Sequence, residues 1–136
     1  MLRQKALLYG IATFAAFYTA HLMIVPLFAG IVDKPGTSTS LYILHQVLGL
    51  ATVIVSGYVA GAVAGARRFL HGFTVGAAGT LLSALAAYWV NWLSRNGASP
   101  IANLFLWLPV NGFLSGLGAL FSQCRRGGTK GRKIIR

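Results

Sequence analysis

The chain has 136 residues, enough for one domain, of which 56% are apolar and only 10% charged, against about 25% charged in an average soluble domain. A single acid, Asp33, stands against twelve lysines and arginines, for a formal net charge of +11. One acid leaves no carboxylate pair for acid–base work and none to orient a catalytic histidine; one cysteine, Cys124, leaves no intramolecular disulfide or cysteine-rich metal centre. The basic residues fall between long uncharged runs, not on one face of a folded module, so they point to a membrane rather than to nucleic acid.

Four apolar runs are long enough to cross about 30 Å of hydrocarbon, which takes roughly 20 helical residues. They cover residues 6–32, 41–66, 70–93 and 104–123, so the sequence predicts an all-α membrane protein with four transmembrane helices. Arg3 and Lys5 followed by an apolar run give the N-terminus a superficial likeness to a secretory signal. The run extends to Val32 without a small-x-small end, so it reads as a retained span. Asp33–Ser40, Arg67–Phe69 and Ser94–Asn103 carry the turn residues and charges expected between helices, and Ser40 is placed to cap the second one.

Lysine and arginine set the orientation. Arg3 and Lys5, Arg67 and Arg68, and the six basic residues of the tail 124–136 fall on one side, against Lys34 and Arg95 on the other. The positive-inside rule then places both termini and the 67–69 turn in the cytoplasm, as expected of a multi-pass protein of the cell membrane. Tyr42, Tyr88, Trp89, Trp92 and Trp107 fall near the outer ends of their spans, as an aromatic belt would. Arg67, Arg68, Arg125 and Arg126 are candidates for contact with anionic lipid headgroups or a partner, and Cys124 has a juxtamembrane position compatible with acylation.

Ser56-Gly57-Tyr58-Val59-Ala60-Gly61 matches Asn111-Gly112-Phe113-Leu114-Ser115-Gly116, and Leu8-Tyr9-Gly10-Ile11 matches Leu70-His71-Gly72-Phe73. The chain therefore reads as two like-oriented helical hairpins, about 1–66 and 67–136, related by an internal duplication. Gly57, Gly61 and Gly65 are four apart and share a face; Gly72 and Gly76 continue the device in the third span, Gly112 and Gly116 in the fourth. Small residues at this spacing let helix backbones approach closely in lipid. They predict a tight bundle without a large central cavity, or else a surface for a second copy or another subunit.

Polar groups within spans are costly and so invite a function. At about 1.5 Å per residue, His21, Gln46 and Asn111 lie roughly 16, 8 and 11 Å in from the outer ends of their spans. They form a candidate polar cluster, for a ligand or for holding helices together. Pro26 and Pro109 lie inside spans and deny a partner to the carbonyls of Leu22 and Phe105. His45 is expected near the hydrated outer interface and His71 among headgroups beside Arg67 and Arg68. Three histidines at three depths make no zinc site, and no serine or threonine has a base at catalytic spacing. Gly127-Gly128-Thr129-Lys130 lacks the context of a phosphate-binding loop. No metal, cofactor or enzymatic activity is expected.

The Gly-Tyr-Val-Ala-Gly core at 57–61, the arginine pair, and Phe69-Leu70-His71-Gly72 with Gly76 resemble a group of small, uncharacterised bacterial four-span membrane proteins. Those carry a glycine-glycine-x-x-alanine-glycine element before a histidine-glycine helix start; Ser56 and Asn111 stand here in place of the first glycine. The resemblance implies no activity. Two roles fit the sequence: a structural or accessory subunit packing through its glycine faces into a larger membrane complex, or a small homo-oligomeric transporter or channel for a polar solute or ion.

Overall fold

The computed structural model describes residues 2–31, 38–93 and 104–130. They form four helices, α1 Gln4–Ile31, α2 Ser38–Ala64, α3 Arg68–Leu93 and α4 Leu104–Lys130, packed as a bundle. Each is long and apolar enough to cross a membrane. The reason is general: in hydrocarbon a helix satisfies its own backbone polar groups, and an open chain does not. Both α1 and α4 continue through their prolines, Pro26 and Pro109.

Helix ends depart from expectation where local chemistry intervenes. α2 stops at Ala64, two residues early, because Gly65 adopts a left-handed φ of 75° and Arg67 one of 50°. This turn feeds α3 at Arg68, whose Nε donates back to the Gly65 carbonyl at 3.0 Å. Gly65 thus closes a helix and is exposed; it is not part of the packing stripe expected of it. α2 starts at Ser38, which puts Ser40 in the first turn instead of before it. α4 runs seven residues past Gln123, so Cys124, Arg125 and Arg126 lie on helix rather than in a separate tail. Asp33, Lys34 and Arg95 lie outside the described residues.

Contacts give the directions. Gly10 meets Val75 and Gly79 meets Phe14, so α1 and α3 run parallel; Gly57 meets Ser115 and Gly61 meets Ala119, so α2 and α4 do too. α1 packs on α2 and α3, and α4 packs on the same two, while α1 and α4 do not touch among the described residues. The α2–α4 crossing is reciprocal: Gly57 lies on the Ser115 carbonyl, and Gly118 lies on the Ile54 carbonyl. Packing therefore pairs Gly57 with Gly118. Gly112, its partner in the sequence match, lies instead against the Phe73 ring of α3, and Gly116 lies against Phe69. Gly72 and Gly76 sit against the α4 backbone at Ser115–Gly116 and Asn111.

The core is built from small side chains. Ser56, Ala60, Ser115 and Ala119 are fully buried, and Val75 with them. Most core hydroxyls are spent on their own helices: Thr52 bonds the Leu48 carbonyl, Ser56 that of Val53, Thr80 that of Gly76 and Ser122 that of Ala119. Such internal bonds let a hydroxyl be buried in lipid without crossing to a neighbour. α1 is the least embedded helix, and among its described side chains only Ala6, Gly10, Phe14 and His21 are buried.

His71 ties the start of α1 to the α2–α3 turn. It is 1% exposed; its Nε2 accepts from the Arg3 backbone N–H at 2.8 Å, and its Nδ1–H donates to the Arg67 carbonyl at 2.9 Å. Both bonds are met by one neutral tautomer. The expected headgroup-facing position is therefore corrected: His71 is a buried clamp.

Candidate functional site

The close contacts between the hairpins α1–α2 and α3–α4 concentrate at one end, which is also the basic end. There Arg3 approaches His71, Gly10 meets Val75 and Gly57 meets Ser115. Toward the other end glycine runs out: within residues 38–53, 80–93 and 104–111 only Gly49 remains. Where larger residues replace glycine, a cleft of about 570 Å³ opens, lined by all four helices. The expectation of a bundle without a large cavity is overturned here. Glycine close-packs one half of the molecule, and its absence opens the other.

Each helix contributes one face to this cleft. α1 presents Phe14, Tyr18, His21 and Leu22; α2 presents residues from His45 to Val53; α3 presents Thr80, Ser83, Ala84 and Ala87; α4 presents Leu104, Trp107, Asn111 and Leu114. The lining is predominantly apolar, with a few polar groups set at mid-span, the composition usual for small-molecule pockets. Among the described residues the lining contains no carboxylate, lysine or arginine.

All three residues of the expected polar cluster, His21, Gln46 and Asn111, line the cleft, but two of them bond elsewhere. His21 Nε2 lies 2.8 Å from His45 Nδ1, with the rings 4.5 Å apart. Asn111 Nδ2 donates to Thr80 Oγ1 at 3.0 Å and so joins α4 to α3. His45, expected near the hydrated interface, is exposed and also pairs across the α1–α2 hairpin. Tyr18 adds an edge-on ring contact to His21. His21 itself is 4% exposed, and its Nδ1 is buried without a hydrogen-bond partner among the described residues.

Sequence reasoning missed His45 and Thr80. The available signal for His45 was the face it shares with Gly49 and Thr52, four and seven residues on, which leaves room for the His21 ring. Gly49 lies 3.8 Å from His21 Cε1 where a Cβ would stand. No group of three or more metal-ligating side chains gathers among the described residues.

Four long apolar helices, packed as a bundle, define a four-span integral membrane protein. Comparison with protein-family models, with curated proteins and with solved structures gives no match for the chain.

Proposed function

We propose that the protein is a small membrane carrier that receives a solute in the cleft between its two hairpins. One observation carries this reading. Polar groups from all four helices, including a buried histidine whose Nδ1 has no partner among the described residues, converge on one cavity. A pair that served only to hold helices together would leave no buried polar atom over, whereas His21 Nδ1 has no partner among the described residues. The accessory-subunit reading rested on glycine faces, and these are taken up within the chain by Ser115, Ala119, Asn111 and Ile54.

On this proposal the two hairpins act as like-oriented halves, with the basic end cytoplasmic and the cleft open toward the outer face. The lysine and arginine distribution supports that direction.

Cysteine accessibility tests it. In a Cys124→Ser background, Tyr18→Cys and Leu22→Cys on the cleft face are expected to react with a membrane-impermeant thiol reagent. Phe17→Cys, on the exposed apolar side of the same helix, is not. Equal silence at all three positions refutes a water-reachable cleft.

A further inference from the structure

We infer that the cleft takes a small organic monoanion together with one proton, the proton lodging on the His21–His45 pair. This rests on the cleft being a solute site. The argument begins with counting hydrogens. The facing nitrogens, His21 Nε2 and His45 Nδ1, stand 2.8 Å apart, so one hydrogen lies between them. A neutral pair carries two N–H groups, one shared in this contact and one on either outer nitrogen. One added proton fills the second outer nitrogen and leaves the contact intact. A second would put two N–H groups face to face and break it. The pair is thus built to accept a single proton.

Among the described residues the added charge has no partner of opposite sign. Tyr18 is the other titratable group lining the cleft, and α3 and α4 present none; Arg3, Lys5, Arg67 and Arg68 belong to the opposite end. The one acid of the chain, Asp33, lies outside the described residues. A buried unpaired charge is costly. In the protonated pair, His21 Nδ1 is an N–H donor buried with no acceptor among the described residues. An oxyanion supplies both the acceptor and the countercharge. Proton and anion enter together and the filled cleft is neutral. A cation would add to the charge, and a neutral solute would draw no proton. Phe14, Leu22 and Trp107 give the rest of the wall an apolar, partly aromatic character, which suits a carboxylate on an apolar body.

The test compares three probes of one shape, 1-naphthoate, 1-naphthamide and 1-naphthylmethylammonium. Each is titrated calorimetrically into the full chain in lipid nanodiscs, with empty nanodiscs subtracted. Repeating the titration in buffers of different ionisation enthalpy counts protons. Naphthoate is expected to bind with uptake of about one proton per molecule, and to tighten about tenfold per unit fall in pH while the free pair is unprotonated. His45→Gln, at the exposed member of the pair, removes the proton uptake and the pH slope, and His21→Gln does the same. Tighter or equal binding of the amide or the amine overturns the proposal, as does naphthoate binding without proton uptake. If no probe binds while Leu22→Cys still labels, the monoanion is wrong and the cleft stands. If Leu22→Cys is also silent, the cleft reading itself has failed.

Discussion

Gly57→Ala is the sharpest perturbation the packing offers. A methyl group at Gly57 would sit 2.6 Å from the carbonyl carbon of Ser115 and closer still to its oxygen, where ordinary contact is 3.4–4 Å. The shortfall of 0.8–1.4 Å falls on backbone, which cannot rotate away, so α2 and α4 must part. Parting them also loosens the reciprocal seat of Gly118 on Ile54. Overpacking of this kind costs about 1–3 kcal/mol, and a backbone clash belongs at the upper end. Alanine in a helix recovers about 1 kcal/mol over glycine, leaving a net loss of about 2 kcal/mol. That is roughly a 30-fold fall in the folding constant. Gly112→Ala is the control. Its methyl meets the Phe73 ring at 2.9 Å, and a ring can swing by a few degrees, so its net change is expected to be about zero. Unfolding by titration with sodium dodecyl sulfate in mixed micelles, followed by tryptophan fluorescence, compares the two. Equal losses at Gly57 and Gly112 would refute the distinction between backbone and ring contacts on which the description of the closed half depends.

Three substitutions and one fusion extend the test. His71→Phe keeps a buried ring but leaves the Arg3 N–H without its acceptor; it is expected to cost about 1–3 kcal/mol in the same titration and to speed exchange of the first amides of α1. Gly65→Ala forces a Cβ into a φ of 75° and is expected to cost about 1 kcal/mol, whereas Arg67→Gly relieves a φ of 50° and is expected to stabilise slightly by the same assay. A reporter that fluoresces only in the cytoplasm, fused after Arg136, is expected to be bright; a dark fusion would reverse the proposed orientation.

The four spans were legible because a helix must cover the hydrocarbon in unbroken apolar sequence, and that requirement is written residue by residue. Even so, hydropathy did not mark the stop at Ala64 or the run of α4 to Lys130, because those ends are set by backbone geometry and by helix beyond the apolar stretch. Depth was also legible. His21, Gln46 and Asn111 were placed at similar levels, and all three line one cleft. Rotation about the helix axis was not. Gln46 and His45 differ by about 100° on α2, and the helix is apolar on nearly every side, so nothing in its pattern favours one over the other. The cleft itself was hidden because glycine spacing was considered within each helix and not along the bundle. Compared end to end, the glycines of α2, α3 and α4 crowd toward the arginine turn.

The hydrogen bond from the Arg3 N–H to His71 also bears on how the chain is made. The first helix begins at Gln4, yet the acceptor for the amide just ahead of it is 68 residues further along. While α1 and α2 enter the bilayer, that acceptor does not yet exist. The opening of α1 must wait, solvated at the interface, until α3 has been synthesised and turned back beside it. The opening of α1 is therefore fastened only after a helix made much later has come back beside it.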